Sequence, residues 1–355
     1  MTQRIEWIDT AKMLTMFLVI IGHCNYYTIA TPYGGIYYTE KINSEELSFA
    51  YRFLKYLVAF IYTFHMPLFM ALSGMLFSLS MKRGISFSKL VRDKAMRLLI
   101  PFMAVSLFLS IPIKFAIGYW EGSDDLFKDI VCGQFLLMGN SHLWFVVALF
   151  WIFIVYFFIE KLCHKKDVLF WMVILLLSWI GWYIEPKNNF LGLPAAMKYT
   201  FFFAVGFNYL PNINKCASSR VIIPILSLIG LFSVSTLFQV LCKHNPDMLF
   251  LKFLSPITFS LFALTGIFSV CMISKAIRKS IFGAFFKNNT YELYLYSDPF
   301  NYLLIYIGWS FYQDNIITDD QCSIMMFFIR FCGSLTGGIF VIWAINALHI
   351  KSLFR

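Results

Sequence analysis

Ten stretches of this chain are apolar over the length a helix needs to cross a bilayer, and few folds remain open to such a sequence. About 20 mostly apolar residues suffice for one crossing. In lipid each backbone amide must be satisfied within the segment, which a helix does. The cores fall at 12–30, 54–79, 98–119, 143–160, 168–184, 190–210, 221–241, 250–274, 290–310 and 322–349. Only 14% of the 355 residues are charged, where a soluble domain carries about 25%. The chain therefore reads as all-α: a polytopic membrane helix bundle of about ten transmembrane helices. Residues 1–355 form a single membrane domain with no appended soluble domain. Two places are less regular. The run 190–210 contains Gly192, Pro194 and Lys198 and reads either as a span or as a broken, interfacial helix. The stretch 125–139 is amphipathic and is expected in an outer loop. The N-terminal run is no cleavable signal, because Asp9 and Lys12 interrupt its start and no small-residue cleavage site follows.

Basic residues set the orientation. The net charge is +10 and the pI about 9.1. With the N-terminus inside, the inner side collects 18 Lys and Arg, against seven outside. One inner loop alone holds Lys82, Arg83, Lys89, Arg92, Lys94 and Arg97. That bias places both termini in the cytoplasm and fits an even number of spans. Positive charge on that face meets anionic headgroups, so membrane lipids are expected partners and nucleic acid is not. The eight cysteines include no CxxC pair, and several lie in apolar runs. They read as free thiols, with no metal site.

Ionisable groups inside a span are costly and point to function. Asp9, Lys12 and His23 share the first span. Lys12 and His23 are 11 residues apart, about three helical turns, so they project from one face. Lys12 so near a helix end also suits plain snorkelling to the interface. His65 lies in the second span, and counting inward puts it level with His23 near mid-bilayer, two imidazoles facing one cavity. Pro67 is expected to kink that helix and Gly74 to permit close helix approach. Lys94 and Arg97, with Arg92 close by, form a basic face suited to phosphates or headgroups. His142 and Trp144 open the fourth span at the outer interface. The ninth buries Glu292, Ser297, Asp298 and Asn301, with Pro299 expected to break it. Arg330 in the last span is a possible partner for one of these carboxylates.

The segments IEWIDTAKMLTMFLVIIGH, FHMPLFMALSG, KAMRLLIPF, HLWFVVALF and YELYLYSDPFNY together resemble the membrane acyltransferase-3 family, bacterial proteins that O-acetylate surface carbohydrates. The opening is most similar to the fucose 4-O-acetylase-like branch. The resemblance implies a ten-helix core in the bacterial inner (cytoplasmic) membrane. It further implies acetyl-CoA as cytoplasmic acyl donor and a carbohydrate acceptor, a surface polysaccharide or lipid-linked sugar, reached from the other side. The family's Arg-x10-His motif falls on Lys12 and His23, and its R-x-x-R motif on Lys94 and Arg97, each with one lysine for arginine. Lysine keeps the charge and loses the planar fork. A histidine common in the ninth helix is replaced by Ser297. Expected roles are thus catalysis for His23, Lys12, Asp9 and His65, acyl-CoA binding for Lys94, Arg97 and Arg92, and substrate binding for His142, Trp144, Asp298 and Asn301. His23 serves either as general base or as acyl carrier. A transporter or flippase for a lipid-linked glycan is the competing reading, since it too uses intramembrane charge and broken helices.

Overall fold

The computed structural model describes residues 6–38, 46–139, 141–163, 168–186, 188–215, 221–245, 248–277 and 283–349. Several charges used above for orientation lie outside these: Arg4, Lys41, Lys165, Lys166, Lys187, Arg220, Arg278, Lys279, Lys351 and Arg355, as does Cys216. The other seven cysteines are free thiols.

Each of the ten expected spans contains a helix. Helix α1 covers Glu6–Gly22, and a hairpin of β1 (Thr28–Thr31) and β2 (Gly34–Tyr37) follows. Then come α2 (Phe49–Tyr62), α3 (His65–Met81), α4 (Phe87–Ala116), α5 (Leu126–Ile130), α6 (Trp144–Leu162), α7 (Val168–Ile184) and α8 (Leu193–Tyr209). The chain ends with α9 (Ile222–His244), α10 (Leu249–Ala276), α11 (Ala284–Asn288), α12 (Thr290–Tyr312), α13 (Asn315–Thr318) and α14 (Asp320–Ala347). Eight segments are long and apolar enough to cross a membrane, with α2 and α3 counted as one. The seventeen residues of α7 are apolar but shorter. The α12 helix is long enough, and its polar residues are turned inward. The protein is an all-α, multi-pass membrane bundle.

Helix crossings follow from small residues, as Gly74 led one to expect. A Cβ on Gly74 would strike the Phe203 carbonyl, and one on Gly206 would strike the carbonyl of Ala71. The α3 and α8 backbones therefore touch directly. Aromatic side chains fill the space beside that crossing, with Phe77 packed on Phe153, Tyr156, Phe203 and Phe207.

One open reading is decided and three local expectations change. First, α8 is a continuous helix. Pro194 sits in its first turn, where a missing N–H leaves no bond unmade, and Lys198 is paired with Glu185 at 3.0 Å. Second, Pro67 kinks nothing. The break between α2 and α3 lies at Thr63–Phe64, and Pro67 occupies the opening turn of α3. Third, 125–139 is more than an outer loop. After α5 a π-turn at Val131–Phe135 carries Gln134 into the interior, where it accepts from Lys114 Nζ at 3.0 Å and donates to Ser106 Oγ. A buried ammonium needs such an acceptor. Fourth, Pro299 does not break α12, which runs through it.

Candidate active site

The first span ends sooner than its apolar run. After Gly22 the chain makes a single 3-10 turn, His23–Asn25, and enters the hairpin, whose turn carries Gly34 at φ +111°. His23 therefore stands in the last turn of the span instead of at its middle. The terminal carbonyls of a helix lack intrahelical partners, and Arg330 supplies them here. Arg330 is fully buried and donates to the carbonyls of His23 at 2.6 Å and Tyr26 at 2.8 Å, and to Asn301 Oδ1 at 2.8 Å. Its guanidinium lies over the Tyr26 and Tyr27 rings. The expected pairing of Arg330 with a carboxylate is thus corrected: backbone oxygens take its planar fork. Asn301 Nδ2 also donates to the His23 carbonyl, at 2.6 Å.

These contacts fix the His23 backbone. Its ring is fixed by Asp298, whose Oδ1 lies 3.1 Å from His23 Nδ1. Tyr26 donates its hydroxyl to the same oxygen at 3.4 Å. Asp298 is 5% exposed and His23 20%. A neutral imidazole that donates Nδ1–H to a carboxylate carries its lone pair on Nε2, the arrangement of a histidine base oriented by an acid. On the other oxygen, Oδ2, stands His142 Nδ1 at 3.2 Å, off the axis of a straight hydrogen bond. His142 Nε2 meets the Leu295 carbonyl at 3.1 Å, and Tyr294 donates to the His142 carbonyl at 2.5 Å.

His23 lines a cavity of about 610 Å³ with Tyr26, Tyr62, the hairpin residues Thr28–Tyr33, Met138, Gly139, Pro186 and Asn188. It opens at the hairpin end of the bundle. Toward the opposite end, Tyr291, Tyr294, Asp298 and Tyr302 follow one another along one face of α12, within about 80° of arc. Tyr291 there donates to the Arg97 carbonyl at 3.0 Å. Arg92 and Arg97 are exposed, while Lys94 turns its ammonium onto the Phe153 ring, 3.5 Å from the centroid.

Of the residues singled out by sequence, His23, Asp298, His142 and Asn301 come together. His65 is not on the cavity that His23 lines. Its Nδ1 donates to the Ile61 carbonyl at 2.8 Å across the α2–α3 break, and the Tyr62 ring stands between the two imidazoles. Asp9 and Lys12 lie in the first two turns of α1, with Lys12 about 16 Å along the axis from His23. Trp144 stacks on Tyr199 at 5.4 Å. Sequence reasoning missed Tyr26, Tyr62, Lys114 and Gln134. Lys114 carried a usable signal, a lone cation inside an apolar run; the tyrosines carried none. Among the described residues no group of three His, Cys, Asp or Glu side chains is placed to hold a metal ion.

No solved structure matches the chain. A stretch of 95 residues is 37% identical to nodulation protein NolL of Mesorhizobium japonicum, covering 27% of this chain and 21% of that protein. The matched part is thus about a fifth of that relative's length. The acyltransferase-3 family profile, described as an acyltransferase domain, matches residues 5–347. With a match from α1 through α14, the chain belongs to the acyltransferase-3 family.

Proposed function

We propose that this protein is an O-acyltransferase of the bacterial cytoplasmic membrane, moving an acetyl or other short acyl group from acyl-CoA to a hydroxyl of a surface or lipid-linked sugar. The observation that carries the reading is His23: Nδ1 on Asp298, ring on a cavity large enough for a sugar ring. The acceptor enters at the hairpin end. The donor docks at the basic end, where Arg92 and Arg97 lie exposed and suit its phosphates. His23 Nε2 takes the hydroxyl proton as oxygen attacks the thioester carbonyl. The C–S bond then breaks, and the proton passes to the departing thiolate, so the step balances without a further reactant. Transfer through an acyl-His23 intermediate has the same stoichiometry. Asp298 touches no reacting atom and acts as a positioning residue.

The test is acyl transfer from labelled acyl-CoA to membrane glycan, with wild-type protein and His23→Ala compared at equal folded protein. Loss of transfer with retained CoA binding supports the reading; full activity of His23→Ala removes His23 from the mechanism. Wild-type membranes that neither bind CoA nor consume acyl-CoA would leave the glycan-transporter reading in its place.

A further inference from the structure

We propose that the Tyr62 hydroxyl is a further catalytic group of this site, a donor that holds the thioester carbonyl oxygen as negative charge gathers on it, with His65 as the residue that positions it. The inference deepens the acyltransferase reading and rests on it.

Attack on a thioester turns its carbonyl oxygen into an oxyanion, and a hydrogen-bond donor fixed beforehand at that point lowers the barrier. Most donors around His23 are already bound elsewhere. Tyr26 gives its hydroxyl to Asp298, and Asn301 gives its amide to the His23 carbonyl and to Tyr26. Arg330 is committed to two backbone carbonyls and Asn301. On the cavity wall, Thr31 donates to the Gly34 carbonyl at 2.6 Å and Tyr33 meets the Met138 sulfur. Thr28 and Asn188 have partners of their own. Tyr62 differs. It lines the same cavity, is 42% exposed, and among the described residues its hydroxyl has no hydrogen-bond partner.

Tyr62 is the last residue of α2, just before the break at Thr63–Phe64. Its ring stands edge-on to His23, with the centroids 6.3 Å apart. The hydroxyl-bearing end is set against the end of α1. A Cβ on Gly22 would lie 3.1 Å from Tyr62 Cε2 and 3.8 Å from Cζ, the carbon that carries the hydroxyl. Gly22 directly precedes His23, so one turn of chain places both the base and the donor. That spacing brings a carbonyl attacked beside His23 within reach of the Tyr62 hydroxyl. From the other side the buried His65 ring packs edge-on against Tyr62 at 4.7 Å, a favoured geometry for two rings. His65 Nδ1 is tied to the carbonyl of Ile61, the residue before Tyr62. Held between Gly22 and His65, the ring keeps its aim, and His65 acts through it without touching a reacting atom.

The reaction keeps its balance. The carbon–oxygen bond forms, the carbon–sulfur bond breaks, and the acceptor's proton passes through His23 to the thiolate. Tyr62 keeps its own proton and lends only the hydrogen bond.

Tyr62→Phe keeps the ring and removes the donor. In proteoliposomes holding equal amounts of folded full-length protein, it should lower kcat by roughly 100-fold. KM for donor and acceptor should stay within about twofold, and the melt should be unchanged. His65→Leu and Gly22→Ala disturb the ring from either side. Each should lower the kcat of wild type and leave that of Tyr62→Phe unchanged, since all three act through one hydroxyl. A fall of less than about tenfold in Tyr62→Phe overturns the proposal. So does a rise in acceptor KM with kcat intact, which would make Tyr62 a binding surface alone. A His65→Leu loss that persists at full size in the Tyr62→Phe background overturns the positioning role. If wild-type protein transfers acyl groups and Tyr62→Phe matches it, this proposal alone falls; if wild-type protein transfers none, the acyltransferase reading falls and takes the proposal with it.

Discussion

Replacing Asp298 with asparagine removes one charge and almost no volume, so it isolates what the carboxylate does for His23. As His23 takes the hydroxyl proton, positive charge develops 3.1 Å from Oδ1. At an effective dielectric of about 20, a unit charge at that distance gains about 5 kcal/mol, or about four decades of rate if all of it develops in the transition state. Tyr26 and His142 already meet the same carboxylate. Part of the gain is therefore spent before the reaction, and the expected fall in kcat for Asp298→Asn is between about 10² and 10⁴. An amide NH₂ facing His23 Nδ1 also favours the wrong tautomer, with hydrogen on Nε2 where the lone pair is needed. The assay is acyl-CoA turnover in proteoliposomes under saturating donor and acceptor, beside CoA binding and a thermal melt. CoA affinity should be unchanged. A folded Asp298→Asn protein whose kcat stays within about threefold of wild type refutes the His23–Asp298 mechanism, because that little corresponds to under about 1 kcal/mol.

Other positions give separate checks. Arg330→Met leaves the Tyr26 carbonyl and Asn301 Oδ1 without this donor and the His23 carbonyl with Asn301 Nδ2 alone; at about 1–3 kcal/mol for each buried unsatisfied group, the melt in detergent should fall by many degrees, and an unchanged melt would refute the capping role. Gly74→Ala and Gly206→Ala push a methyl into a facing carbonyl and should destabilise by about 1–3 kcal/mol or more. Gly230→Ala, with nothing within 4 Å, should instead be neutral or stabilise by up to about 1 kcal/mol, and equal melts for the three variants would contradict the crossing. Arg92→Ala and Arg97→Ala should each weaken CoA binding by about tenfold or more, the loss of one charge-assisted contact, with a reduced salt dependence; titration calorimetry showing wild-type affinity in both would move the donor site elsewhere.

The membrane class, the apolar helices and His23 as a costly ionisable group were legible in the sequence. Each rests on a local property: apolar run length, or the expense of an ionisable group among apolar neighbours. The helix over IDTAKMLTMFLVIIG, all of it within α1, likewise needed no tertiary information. What misled was treating apolarity as depth. The first run continues past Gly22 to Ala30, yet the helix ends at Gly22 because Arg330 and Asn301, about 280–310 residues later, cap it there. Pro299 was legible as a source of a free carbonyl, but not its taker, His142, which arrives from the turn before α6.

By itself, then, the sequence determined that this is an all-helical membrane protein and which side chains are too costly to be incidental. Only the tertiary structure decided how they pair: that Asp298 serves two imidazoles, that Arg330 serves backbone and not carboxylate, and that Tyr62 separates His65 from His23. Burial cost is a property of one residue in its own segment and can be read along the chain. A partner depends on helix rotation and crossing, set by packing between segments far apart in sequence, and no local pattern encodes it.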